Sequence, residues 1–444
     1  MIDLLVRRGR VVTEAGVREQ SLAIENGRVV ALISDGEEPA ARKVIDAAGK
    51  LVLPGLVDSH VHFREPGLTH KEDFQSGSLA AAAGGVTTVM VMPTDNPFTL
   101  TPEDFEAKIA LARDRCHVDY ALQAGLGPDR RHVRALADLG AISFELFLSD
   151  LPPALLTDSA AALVLGLEAV RDVGGIAGVT PGDDSLYRHA AEIARGEQGG
   201  APQAFARARP PEAEALGVAQ ACIAASSTGA RTHLRQISCA ASLRVLQALR
   251  GTTVTAEVTP HNLTLDEADF LRLGVVAKVA PPLRPRPDVT ALRAALAAGA
   301  LDVVATDHAP HHPDEKAAGA TDIWKAPGGF PGVQTFLPLM LRLVDEGIIE
   351  QAALVRTCCA HPARLFGLYP RKGALQVGSD ADLVIVDPGR PFTIRNRDQL
   401  SKARNVPFDG LTASASPILA CLRGTVIMRD GQPTAPPIGE FLRP

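Results

Sequence analysis

Three things are scarce in this 444-residue chain, and each scarcity removes a class of function. Cysteine is the first. The six present (Cys116, Cys222, Cys239, Cys358, Cys359 and Cys421) contain no Cys-x-x-Cys pair and frame no disulfide scaffold, the pattern expected of a cytoplasmic protein kept reduced. Basic charge is the second. With 45 Lys and Arg against 51 Asp and Glu, the net charge of -6 leaves no basic stripe for nucleic acid. Long apolar runs are the third: no uninterrupted apolar run reaches the roughly 18 residues of a membrane span. The opening Met1-Ile-Asp-Leu-Leu-Val-Arg7 also lacks the basic start and apolar core of a signal peptide. There is no solenoid-length repeat and no low-complexity tract. What remains, 46% hydrophobic and 22% charged, is the composition of a soluble globular protein with one large domain and a smaller one.

The texture of the chain changes twice. Residues 1–50 read as short strands with turns, and Glu25-Asn-Gly-Arg28 carries the Asn-Gly hairpin signal. From Leu51 to about Phe366, apolar strands alternate with alanine-rich helices. Predicted strands include Thr87–Met92, His117–Gln123, Ile142–Phe147, Ile176–Val179, Arg231–Ile237, Thr253–Val258 and Leu301–Thr306. Such alternation predicts an α/β protein with a parallel sheet, and eight units close as a (β/α)8 TIM-like barrel. Strand signals return at Gly373–Val377, Ala381–Val386, Phe392–Ile394 and Leu419–Arg429. Both chain ends are therefore expected to form one small β-sandwich, residues 1–52 plus 371–444, flanking a barrel over 53–370. Asp314–Phe330, with the only tryptophan, Trp324, reads as a long loop: either a lid or a surface excursion.

The most informative residues are His60 and His62, which end the apolar run Leu51-Val-Leu-Pro-Gly-Leu-Val57. Side chains alternate faces along a strand, so these two imidazoles point the same way. Paired neutral imidazoles at a strand end begin a metal site, with a pair of satisfied core histidines as the alternative. The other end of the site lies in Leu301-Asp-Val-Val-Ala-Thr-Asp-His-Ala-Pro-His311, where a second apolar strand ends on Asp307.

Asp58-Ser-His-Val-His-Phe-Arg-Glu-Pro66 and Ala305-Thr-Asp-His-Ala-Pro-His-His-Pro-Asp-Glu-Lys316 resemble the two long motifs of the amidohydrolase superfamily, in its cyclic-amidase branch of dihydroorotases, allantoinases and hydantoinases. Gly77–Thr88, Pro281–Arg284, Gly332 and Gly378–Leu383 resemble it as well, so the likeness spans nearly the whole chain. It implies a binuclear metal site in which His60 and His62 hold the first metal. Asp307 would be both a ligand and the catalytic proton shuttle. The family's bridging ligand, usually a carbamylated lysine on the fourth strand, falls at Glu145. Alternation turns Ile142, Phe144 and Leu146 toward the helices and Ser143 and Glu145 toward the barrel axis. Glu145 is then a metal ligand, or a carboxyl that is protonated or paired with a lysine or arginine.

The histidines of the second metal are missing. Ile176–Gly182 has none, and Gln236 stands at the sixth-strand position, with His233 expected on the opposite face. His261 is a candidate substitute or substrate contact, with a structural role as its alternative. The expected set is one Zn per chain on His60, His62, Glu145 and Asp307. Arg64 matches the residue that holds the substrate carboxylate in dihydroorotases; the alternative is an ion pair with Glu65 or Asp73. Thr94 and Ala280 stand where two dihydroorotase asparagines contact that carboxylate, which counts against dihydroorotate itself. His308 and His311 are expected either to shape the site entrance or to face solvent as loop residues. The reading is a metal-dependent hydrolase opening a cyclic amide, imide or ureide, carboxylate-bearing ones included. Its alternative is a catalytically silent homologue with an assembly role. A homodimer or homotetramer is expected, with neither nucleic acid nor membrane as partner.

Overall fold

The computed structural model describes residues 1–34 and 37–444. Among them, eight parallel strands form a barrel: Leu56–Val61, Val86–Val91, Asp119–Leu122, Phe144–Phe147, Ala177–Thr180, Thr232–Leu234, Val254–Val258 and Val303–Val304. Neighbours pair in parallel, with Ala124–Gly125 linking the third strand to the fourth. The ring closes where Val61 bridges to His308, and the His62 N–H donates to the His308 carbonyl at 2.7 Å. Helices between the strands start on strong caps. Asp73 and Ser76 make a reciprocal capping box for Phe74–Ala83, and Thr101 and Asp104 do so for Pro102–Ala112. Ala160–Asp172 packs tightly on the fourth strand because Gly166 faces Leu146, where a Cβ would come within 2.7 Å of the leucine. Phe144 and Leu146 therefore look outward into the helix layer, as alternation requires.

The two chain ends meet in a nine-stranded sheet. Its first strand, Ile2–Thr13, pairs antiparallel with Gly16–Glu25 throughout its length. On its other side it changes partner, from Ala41–Asp46 to Leu51–Pro54, across a bulge between Val6 and Gly9. That change lets the sheet fold over a core of Leu4, Val6, Val11, Leu22, Val52, Leu383 and Leu419. Leu51–Pro54 then pairs antiparallel with Leu383–Val386, joining the start of the chain to its end.

Four local expectations change. Gly373–Val377 forms no strand. The stretch Leu419–Arg429 is not one strand but a hairpin, Ser416–Leu422 with Thr425–Arg429. It turns at Arg423-Gly424, whose φ of 45° and 71° mirror the 50° and 74° of Asn26-Gly27. Residues 392–411 leave the sheet, and Ile394, Val406 and Phe408 pack on Phe330 and Phe270 of the barrel's loops. The long loop after Asp307 holds a short helix, Pro313–Ala317, and two lysines pin it. Lys278 donates to the carbonyls of Ile323 and Ala326, and Lys316 to those of Lys278 and Pro327.

Candidate metal centre and its pocket

His60 and His62 stand at the end of the first barrel strand, and Asp307 follows the eighth. Their Nε2 atoms converge on one carboxylate oxygen, Asp307 Oδ1, at 3.3 Å and 3.1 Å. The other ring nitrogens are taken. His60 Nδ1 lies 2.7 Å from Glu257 Oε1, and His62 Nδ1 lies 2.7 Å from Thr94 Oγ1. Hydrogen bonds to Nδ1 leave the Nε2 lone pairs for a cation, which is how metal-binding histidines are oriented. The three donor atoms lie within 4.8 Å of one another. Two imidazoles, one carboxylate and an open side fit a divalent ion such as Zn with room for water. Burial drives the Asp307 carboxyl up to about 6. Burial also pushes Glu257 up, but His60 and Arg235 override it and hold that carboxyl well below the usual range.

Glu145 does not join this group, which corrects the expected four-ligand set. It faces the axis as alternation demands, and it is fully buried. Its oxygens are taken by Arg235, with Nη2 at 2.8 Å and Nε at 3.2 Å, and by the Ser143 hydroxyl at 2.7 Å. The arginine-paired alternative describes it. His233 also differs from expectation, because it lies inside the barrel with Nδ1 2.8 Å from Thr255 Oγ1 and Nε2 3.4 Å from Glu257. Parity failed for a physical reason: Gln236 has φ of 54°, so the chain turns left-handed past the strand end, and Gln236 reaches the pocket that Asp307 also lines. Arg64 (60°) and Asp307 (49°) share this uncommon backbone, so three residues of the pocket sit in conformations that non-glycine residues rarely adopt.

The centre opens into a cavity of about 380 Å³ whose lining includes Arg64, Thr94, Gln236, Lys278 and His311. Arg64 is buried and donates to the Pro310 carbonyl at 3.3 Å, with His311 Nε2 also 3.3 Å away. Its alternative partners are occupied elsewhere: Glu65 bonds Arg115 at 2.7 Å and Asp73 bonds Lys402 at 2.6 Å. Among the described residues no carboxylate lies within ion-pair distance of Arg64. His311 is held neutral near 2 by burial and by the neighbouring Arg64 and Lys71. His261 does not line this cavity. It is buried against Phe330 with ring centroids 5.2 Å apart, and burial depresses it to about 3, so the structural alternative describes it. His308 is likewise no entrance residue, since its Nδ1 accepts from the backbone N–H of Gly332 at 3.0 Å. Sequence reasoning missed Glu257 and Arg235. An acid flanked by apolar residues in Val254–Val258 was a readable signal for Glu257; Arg235 gave none of its own.

Comparison with known proteins gives a consistent neighbourhood. Residues 213–427 match the model of the amidohydrolase family, and residues 49–146 match that of dihydro-orotase-like proteins. A dihydroorotase of Methanothermobacter thermautotrophicus is 36% identical over 97% of this chain and 95% of its own. An allantoinase of Rubrobacter xylanophilus is 35% identical over 100% of this chain and 98% of its own. Among solved structures, the L-hydantoinase (dihydropyrimidinase) from Arthrobacter aurescens superposes with a TM-score of 0.97 at 31% identity, each chain covered completely.

Proposed function

Because the chain belongs to the amidohydrolase family, in the dihydroorotase-like branch shared with allantoinases and hydantoinases, we propose that it hydrolyses the C–N bond of a cyclic amide, imide or ureide with one divalent metal, Zn, per chain. The observation that carries this reading is the convergence of His60 Nε2 and His62 Nε2 on Asp307 in the wall of a cavity. A metal there supplies a Lewis acid for the carbonyl and lowers the pKa of water toward neutrality. Asp307 takes the proton of the attacking water and returns it to the leaving ring nitrogen. Thr94 holds His62 in its ring orientation.

Arg64 favours a carboxylate-bearing ring, since a buried guanidinium without an acidic partner is costly until an anion arrives. His311, neutral and beside it, completes that wall of the pocket. Thr94 and Ala280, in place of asparagines, leave the ring itself less constrained than in a dihydroorotase.

The test is a screen of dihydroorotate, allantoin and 5-substituted hydantoins, including 5-carboxymethylhydantoin, with protein reconstituted in Zn. Ring opening that disappears in Asp307→Asn while the protein stays folded is the expected result. No turnover of any ring by protein that holds its metal would remove the hydrolase reading in favour of a silent homologue.

A further inference from the structure

Below the His60–His62–Asp307 group lies a buried cluster that the hydrolase reading leaves unused. Arg235 is 0% exposed, and every one of its five N–H bonds is spoken for. Nε and Nη2 hold Glu145. Nη1 donates to Glu257 Oε2 and to the Ser59 carbonyl, each at 3.0 Å, and Nη2 also reaches Gln123 Oε1 at 2.5 Å. These partners come from the first, third, fourth and seventh strands. One guanidinium therefore ties the barrel together at the level of the bridging-ligand position. Glu257 continues the chain upward to His60 Nδ1 at 2.7 Å.

We infer that Arg235 is a resident cation that stands in for a second metal and limits this centre to a single ion. This rests on the metal reading above. Three observations support it. The carboxylate at the bridging position, Glu145, spends both oxygens on Arg235 and Ser143 and has none facing the His60–His62 group. The fifth strand is bare for a steric reason, because Gly178 lies beside Glu145 in register and a Cβ there would fall 2.1 Å from Glu145 Oε2. No donor side chain can be accommodated at that level while Glu145 and Arg235 occupy it. Within the cluster the charges close: Glu145, Glu257 and Asp307 are balanced by Arg235 and one divalent ion, with Arg64 in the pocket wall left for a substrate anion. A second divalent ion would add two positive charges to a group whose buried carboxylates are already matched. Arg235 acts as a positioning residue, working on the metal through Glu257 and His60.

Metal content per chain decides it, measured by elemental analysis after saturation with Zn and, in parallel, by electron paramagnetic resonance after saturation with Co(II). The wild type should saturate at one equivalent, with the cobalt signal integrating to one uncoupled high-spin ion. Arg235→Lys, which keeps the charge, should also hold one. Arg235→Gln, which leaves Glu145 and Glu257 facing each other without a cation, should rise from one equivalent to two. Should Arg235→Gln fail to fold, the wild-type count and cobalt signal decide alone. Two equivalents or a spin-coupled signal in the wild type would overturn the inference while leaving the hydrolase reading intact. A folded Arg235→Gln that still holds one would overturn it as well. A wild type that binds no metal would overturn both.

Discussion

Each end of the barrel carries three potential metal ligands within 4.8 Å of one another: His60, His62 and Asp307 at the mouth, and Asp119, Asp380 and Asp382 at the floor. At the floor, Lys372 is fully buried in the middle of the acids, 2.9 Å from Asp380 and 2.7 Å from Asp382 and also bonded to Asp119. Arg423 pairs with Asp119, and Arg371 lies 2.9 Å from Asp380. Each of the three carboxylates meets at least one cation, and the cluster fastens the barrel to the β domain. At the mouth no lysine or arginine enters the ligand group: Arg235 stops one layer below, and Arg64 stands in the pocket wall. What separates a metal site from a structural lock is therefore not the acceptors but where the protein puts its own cation.

The comparison breaks most visibly at Asp307. Replacing it by asparagine should lower turnover by about 10²–10⁴-fold, while the thermal midpoint moves little. A midpoint that collapses instead would make the mouth as structural as the floor. Lys372→Met is the mirror experiment. Removing one partner of a buried ionic cluster costs about 3–5 kcal/mol, so denaturant unfolding should show a loss of that order. An unchanged unfolding free energy would show that the floor acids are satisfied without their lysine.

Thr94→Val sharpens the mouth side. It removes the hydroxyl that orients His62, and losses of such orienting partners typically weaken metal binding about 10–100-fold. Competition with a chromophoric chelator reads this directly, and wild-type affinity in the variant would assign Thr94 to substrate contact alone. The smallest effect is expected at the loop lysines. Burial lowers Lys316 to about 7 and Lys278 to about 8. A lysine whose folded pKa is depressed binds fewer protons than the unfolded chain between that pKa and its ordinary value of 10.5. Stability from such a group therefore rises with pH across that window, and below it the folded state bears the full cost of the buried charge. Lys316→Met should accordingly gain most over wild type at pH 6.5 and least at pH 9.5. Equal differences at both pH values would show that the two backbone carbonyls fully solvate the ammonium.

The barrel and its closing histidine pair were legible because they obey strand periodicity, and Asp307 because it ends an apolar run inside a recognisable motif. The fourth strand was legible for the same reason, down to Glu145 facing the axis. Glu145's partner was not. Arg235 lies between a position read as a lost ligand, Gln236, and one assigned to the wrong face, His233. Both readings assumed that alternation runs through residue 236, where a positive φ ends it. The pairing itself joins residues 90 apart in sequence, and nothing local to either announces the other. The hairpin at Arg423-Gly424 was missed because arginine is not a customary resident of a left-handed turn position.

The junction of the two chain ends has a consequence in time. Lys50 and Asp387 form an ion pair at 2.7 Å beside the strands that join the halves of the sheet, and 337 residues separate them. At about 5–20 residues per second, roughly 20 to 70 s of synthesis pass between them. Through that interval the strand Leu51–Pro54 presents one open edge, with four apolar side chains and unpaired backbone groups, while the barrel is still being made. An open edge is a template for another nascent chain. The rate of synthesis, and not only the packing of the finished fold, sets how long that edge stays open.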